Sequence, residues 1–107
     1  MTSPAPTEPK LVLRLYVVSG APSSITARAN LVDILADVGA ENYALEIVDC
    51  IAEPHRALAE GVLVTPTLVE TAPEPVQTIV GSLSNRGSVV AALGLDHTGA
   101  ANEDARR

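Results

Sequence analysis

The chain has 107 residues, of which 47% are hydrophobic, and its formal net charge is −6. That length supports one domain with a modest core. The acidic balance argues against nucleic acid and anionic membranes as partners, because both require clustered Lys and Arg. No apolar run approaches the roughly 20 residues of a membrane span, the first ten residues lack a signal-peptide pattern, and the single Cys50 rules out an internal disulfide. We therefore expect a cytoplasmic protein.

The first half of the chain predicts a β-α-β unit. KLVLRLYVV (10–18) is apolar on both faces, which indicates a strand in the middle of an α/β sheet. Residues 24–38 carry apolar side chains at helical spacing, and Ser23 or Ser24 is the predicted N-cap. YALEIVD (43–49) is the next strand, and the crossover rule makes it parallel to the first.

The second half predicts a helix, two strands and a final helix, at residues 53–61, 62–70, 76–81 and 84–95. Ser84 is the predicted N-cap of the last helix, and the proline-rich turn between the strands favours a hairpin. The resulting order, β-α-β-α-β-β-α, is the thioredoxin-like arrangement of an α/β domain. We place this domain at residues 10–96, between disordered tails at residues 1–9 and 97–107.

Pro66 stands inside an otherwise strand-like run, where it would remove a ladder hydrogen bond. In the thioredoxin-like arrangement a proline, usually cis, opens the third strand beside the first helix. Thr65–Pro66 matches that position, so we predict a cis bond there. The alternative is an ordinary trans proline at a bulge.

The residues for redox chemistry are missing. A thioredoxin carries a Cys-x-x-Cys pair between the first strand and the first helix, where this chain has Ser19 and Ser23, and thiol–disulfide exchange requires a thiolate. Cys50 has no partner and is interpreted as a small buried hydrophobe. His55 and His97 lack metal-ligand spacing. The sequence therefore predicts no metal, no cofactor and no enzyme.

Four segments resemble the KaiB family of circadian clock proteins: LRLYVVSGAPSS, YALEIVD, EPHRALAEGVLVTPTL and PEPVQTIVGSLSNRGSVVAAL. They stand in register over about residues 10–95. The resemblance implies a non-enzymatic clock or timer adaptor, which binds the N-terminal ATPase ring of a KaiC-like hexamer and regulates its phosphorylation state. In cyanobacteria KaiB also sequesters KaiA, and the same fold serves as the sensor domain of a clock-output histidine kinase.

The resemblance also implies two folds for one sequence. A ground state, often a tetramer, has the order β-α-β-β-α-α-β, and the thioredoxin-like state binds KaiC. A homo-oligomer, dimer or tetramer, is therefore possible in the ground state. The fold-switch candidates are Thr65, Pro66, Pro73, Pro75 and Ala92. Slow X-Pro isomerisation is a candidate brake on switching, whereas the simpler interpretation is that Pro73 and Pro75 stiffen a turn. Ala92 stands where some members have Gly, which favours the thioredoxin-like state.

The docking surface implied for such an adaptor is helix one and strand two with their nearby loops. The residues assigned to it are Ala27, Arg28, Tyr43, Leu45 and Glu46. Tyr43 is as well explained as a half-buried strand residue, and Arg28 as a solvated surface charge.

Several charges typical of the family are lost or inverted in this chain. Thr26 and Ala29 replace basic residues, Glu46 replaces a lysine, and Gln77 and Thr78 replace an arginine pair. Such changes would disfavour a partner suited to the usual surface. We expect a divergent KaiC-like ATPase and doubt a KaiA-type partner. The alternatives are another signalling or stress partner, a thioredoxin-like enzyme, and a structural oligomer without binding.

Overall fold

A computed structural model describes residues 11–95 of the chain. The two predicted tails lie outside these residues. The elements are β1 (Leu11–Val17), α1 (Pro22–Leu35), β2 (Tyr43–Asp49), α2 (Pro54–Ala59), β3 (Thr67–Ala72), β4 (Gln77–Val80) and α3 (Arg86–Ala92), with one 3-10 turn at Ala40–Asn42. The predicted thioredoxin-like order is confirmed, and the helices are shorter than their predicted spans.

The four strands form one mixed sheet in the order β2-β1-β3-β4. β1 pairs parallel with β2 and antiparallel with β3, and β3 pairs antiparallel with β4. The central place predicted for β1 is therefore confirmed, as is the β3–β4 hairpin. β2 forms one edge of the sheet and leaves a row of its backbone groups unpaired by another strand.

The two faces of the sheet are covered unequally. On one face, Leu13 and Leu15 of β1 pack against α1 and α3 in the main core, where Leu31 is fully buried. On the other face lies a smaller group, here named the second cluster: Tyr16, Val48, Ala57, Val62 and Val69. This division follows from β1, whose alternate side chains point to opposite faces: Leu11, Leu13 and Leu15 are buried on one face and Tyr16 on the other.

The third strand begins later than predicted. Residues 62–65 belong to a loop, because Val62 N–H is already bonded to Ala57 O at the end of α2, and Pro66 has no N–H to offer a ladder. Pro66 therefore precedes β3 and does not interrupt it. The Thr65–Pro66, Ala72–Pro73 and Glu74–Pro75 peptide bonds are all cis.

The predicted cap of α1 is wrong. The helix begins at Pro22 without a side-chain cap, because proline is favourable at the first helical position. Ser24 lies inside the helix, is buried, and accepts a hydrogen bond from Val18 N–H at 3.1 Å. Ser23 is exposed in the first turn.

The predicted cap of α3 is displaced by one residue. Asn85, not Ser84, is the N-cap, and its Oδ1 accepts a hydrogen bond from Ser88 N–H at 3.1 Å. Ser84 Oγ instead lies 2.6 Å from Ser82 Oγ. A run containing both Ser and Asn offers two equally good caps, and sequence alone does not choose between them.

Candidate partner-docking site

The solvent side of α1 forms a continuous stripe, here named the α1 face: Ile25, Arg28, Ala29 and Val32. These residues follow i, i+3, i+4, i+7 spacing, so they share one side of the helix. Ile25 is 59% and Val32 57% exposed. Two exposed β-branched side chains around one cation form a surface that a partner protein could cover.

The opposite side of α1 holds the helix firmly on the sheet. Ala27 is fully buried there, so it supports the α1 face from beneath and offers no surface to a partner in this structure. The far end of the helix is tied to α3, where Arg86 contacts Asp33 at 2.7 Å and Asp37 at 3.0 Å. These aspartates, although exposed, therefore join two helices.

Arg28 differs from the other arginines of residues 11–95 in its electrostatic surroundings. Arg14, Arg56 and Arg86 each pair with two carboxylates. Arg28 is exposed and has no carboxylate partner within that range. In an acidic chain, this leaves one guanidinium available for a negative charge from outside.

A cleft of about 190 Å³ separates the α1 face from β2, and Ile25, Arg28 and Ile47 contribute to its lining. At its end, Ser19 donates a hydrogen bond to Asp49 Oδ2 at 2.9 Å. Asp49 Oδ1 also accepts from Ile51 N–H at 2.9 Å. This backbone bond, followed by the Ser19 bond, lowers the pKa of Asp49. The corner that holds cysteines in a thioredoxin is here a hydroxyl–carboxylate pair.

The β2 residues predicted for docking divide between the two faces of the sheet. Tyr43 and Leu45 are half-buried and pack against the main core on the α1 side. Glu46 points to the opposite side, where Arg56 binds it through two hydrogen bonds of 2.6 and 2.8 Å. Arg14 Nε lies 3.5 Å away. Pairing with Arg56 is the main reason that the pKa of Glu46 is lowered.

Cys50 has the environment of an unreactive thiol. It is half-buried against the second cluster, and burial together with the negative charge of Asp49 raises its pKa. His55 is exposed on α2, and His97 lies outside the described residues. Within residues 11–95 there is no cluster of three metal-ligating side chains and no helix long and apolar enough to span a membrane.

The fold-switch candidates lie in the second half of the domain. Pro66 is buried directly before β3, and Thr65 beside it is half-buried. Pro73 and Pro75 are exposed in the β3–β4 connection, and Ala92 is half-buried at the end of α3.

The family model of the KaiB domain matches residues 14–95, which is most of the chain and nearly all of the described residues. The chain belongs to the KaiB family. It is 40% identical over 87 residues to the circadian clock protein KaiB3 of Synechocystis sp., covering 81% of this chain and 83% of that protein. It is also 40% identical over 92 residues to the circadian clock oscillator protein KaiB of Thermostichus vulcanus, covering 86% and 83%. Both relatives are circadian clock proteins, which supports a clock role for the KaiB family.

Solved structures similar to this KaiB-family chain agree with its fold. The N-terminal domain of Synechococcus elongatus SasA superposes with a TM-score of 0.68 at 25% identity, covering 87% of this chain and 91% of that one. Mitochondrial thioredoxin 3 of Saccharomyces cerevisiae gives a TM-score of 0.67 at 12% identity, covering 82% and 80%. The second likeness is one of fold alone, and it agrees with the thioredoxin-like arrangement of the structure.

Proposed function

We propose that this chain is a non-enzymatic clock or timer adaptor that docks on the N-terminal ATPase ring of a KaiC-like hexamer and regulates its phosphorylation state. Membership of the KaiB family supports the clock role. The serine corner and the half-buried Cys50, whose pKa is raised by burial, support the absence of redox chemistry.

The docking site is argued from Arg28, which has no carboxylate partner within the described part of the chain and lies between exposed Ile25 and Val32. An interface hot spot combines apolar area with a desolvated, well-matched charge, and arginine is enriched among such residues. The α1 face has both properties and adjoins the free edge of β2. The docking surface is therefore the α1 face with the exposed margin of β2.

The charges explain why the partner should be a divergent one. Arg14 and Arg56 hold Glu46 on the α2 side of the sheet, so this inverted charge is largely neutralised within the chain. Among residues 11–95, the arginine left to attract a partner is then Arg28, and a matching ring should present a carboxylate flanked by apolar side chains. A KaiA-type partner needs a separate recognition surface, and we do not propose one.

Size-exclusion chromatography with the KaiC-like ATPase of the same genome, in the presence of ATP, tests the proposal. The wild-type chain should co-elute with the hexamer. Arg28→Ala should raise the Kd about tenfold or more, as expected for an interfacial arginine. Val80→Asp is the matched control, because it makes the same change in net charge at an exposed position of β4, at the opposite edge of the sheet from β2.

Each outcome has a distinct meaning. Absence of co-elution with a demonstrably folded hexamer would reject the KaiC-like partner and favour another signalling or stress partner for this KaiB fold. Co-elution that Arg28→Ala and Val80→Asp leave equally strong would preserve the adaptor and reject the α1 face as its docking site.

A further inference from the structure

α2 is joined to the sheet by very little apolar contact. Of its six residues, Ala57 alone is buried. Leu58 is 72% exposed, and on the flanking loops Ile51 is 73% and Leu63 88% exposed. α3 is a useful comparison, because this helix of seven residues buries Val89 and is followed by buried Leu93. α2 likewise buries one residue and is followed by buried Val62, but Ala57 is much smaller than Val89, so hydrophobic burial holds α3 more strongly than α2.

Charged side chains supply the contacts that α2 otherwise lacks. Glu60, directly after the helix, accepts hydrogen bonds from Arg14 Nη1 at 2.6 Å and from the hydroxyl of Tyr16 at 2.7 Å. Arg56, inside the helix, binds Glu46 of β2 through both carboxylate oxygens. The ionic bonds thus run from α2 to both of its neighbouring strands, β1 and β2.

The space beneath these bonds is not tightly packed. A cleft of about 230 Å³ lies between α2 and the sheet, lined by Arg14, Tyr16, Arg56, Ala59 and Glu60. The ion-pair side chains are between 23% and 49% exposed. Water and salt therefore reach the contacts that hold the helix, in contrast to the closed main core.

We propose that α2 is an ionic latch: a flap closed over the second cluster chiefly by the Glu46–Arg56 and Arg14–Glu60 pairs, which salt opens without unfolding the sheet. Opening exposes Tyr16 and Val69, which are otherwise almost fully buried. Ion pairs with exposed side chains weaken as the Debye length falls, from roughly 30 Å at 0.01 M salt to about 3 Å at 1 M. Segments with few apolar contacts are also the ones that open locally in native proteins.

Hydrogen exchange of the full chain measures the opening directly. The reporters are the amides of Glu60, Gly61 and Val62, which bond to Arg56 O, Leu58 O and Ala57 O. The internal reference is the Leu93 amide of α3, bonded to Val89 O. Rates are first corrected for the exchange of unstructured peptides at the same salt concentration. After that correction, raising NaCl from about 20 mM to about 0.5 M should speed exchange at the reporters about tenfold and leave the reference nearly unchanged.

Three variants separate the latch from general destabilisation. Glu46→Gln and Glu60→Gln should each raise reporter exchange at low salt and reduce its salt dependence. Asp33→Asn is the matched control, since it removes a carboxylate of the same kind, paired with Arg86 between α1 and α3, and it should leave the reporters unchanged. The proposal is overturned if reporters and reference exchange at the same rate at both salt concentrations, or if Asp33→Asn affects the reporters as strongly as the latch variants do.

Discussion

At the scale of single residues, Glu70 is the side chain that fits its surroundings least well. It is 3% exposed, and the strand register places it opposite Leu13 of β1 and Gln77 of β4. Its carboxyl side chain has no hydrogen-bond or ion-pair partner among residues 11–95. Burial without a partner penalises the ionised form, and the pKa of Glu70 is accordingly raised above its ordinary value of 4.5.

Glu70 should make the domain less stable as the pH rises. An acid with a raised folded pKa contributes its full stability below its unfolded pKa and loses it as the pH passes through the folded value. Glu70→Gln removes the charge, so it should flatten this decline and raise the free energy of unfolding by about 1 kcal/mol or more near pH 7.5. Urea denaturation between about pH 5 and pH 7.5 measures both effects.

The exposed Glu74 provides the control for this prediction. Glu74→Gln makes the same chemical change in the β3–β4 connection and should leave the pH dependence as in the wild type. The explanation fails if Glu70→Gln and the wild type lose stability in parallel over this range. Glu46, Asp49 and Glu60 have lowered pKa values, so the stability they contribute is lost as the pH falls. That loss occurs below their unfolded pKa values, and therefore outside the pH range tested.

Residue-scale contacts were the part of the structure least accessible to sequence reasoning. Arg14 and Glu60 are 46 residues apart in the chain and meet only once α2 lies across the sheet. Helical spacing puts Ala27 on the same face as Leu31, where it is fully buried, and leaves Arg28 on the exposed side. Patterns predict which face a residue occupies; they do not predict its partner.

At the scale of elements, the cap of α3 tests the observed helix boundary. Asn85→Ala should lower the free energy of unfolding by about 0.5–2 kcal/mol, because the Ser88 amide loses its side-chain acceptor. Ser84→Ala, one residue earlier and exposed, should change it by less than about 0.5 kcal/mol. Thermal or urea unfolding compares the two variants, and a larger loss for Ser84→Ala would mean that the helix begins at the cap predicted from sequence.

Two glycines with opposite backbone requirements give a second test of element boundaries. Gly39 has φ +93°, and a Cβ there would lie 3.2 Å from a carboxylate oxygen of Glu41. Gly87 lies within α3, where a Cβ meets only Asn85 Oδ1 at 3.7 Å. Gly39→Ala should destabilise by about 1–3 kcal/mol, and Gly87→Ala should stabilise by about 0.5–1 kcal/mol. Destabilisation by Gly87→Ala would contradict the helical assignment of α3.

The order of the elements was predictable because each carries a strong local pattern. β1 is apolar on both faces, α1 has clear helical spacing, and the crossover rule then makes β2 parallel. The start of β3 was not predictable in the same way. Residues 62–65 have strand-like composition, yet the end of α2 uses the Val62 amide and Pro66 cannot join a ladder. At this boundary the backbone hydrogen bonds, and not the residues' preference for strands, decided where β3 begins.

At the scale of the whole molecule, the domain combines a closed main core with two differently exposed helical surfaces. α1 and α3 enclose one face of the sheet and present the α1 face, where Arg28 is exposed. α2 covers the other face through ionic contacts. We therefore assign docking to the α1 side of the molecule and ionic opening to the α2 side.

The most direct test is a hydrogen-exchange footprint of the wild-type chain with and without the KaiC-like ring, at one salt concentration and with ATP present. We predict that binding slows exchange across residues 25–32 and along the edge strand at residues 43–49, and leaves the Glu60–Val62 amides as they are in the free protein. Protection confined to α2 and its flanking loops, with α1 unchanged, would contradict docking on the α1 face and place the docking surface on the ionic latch.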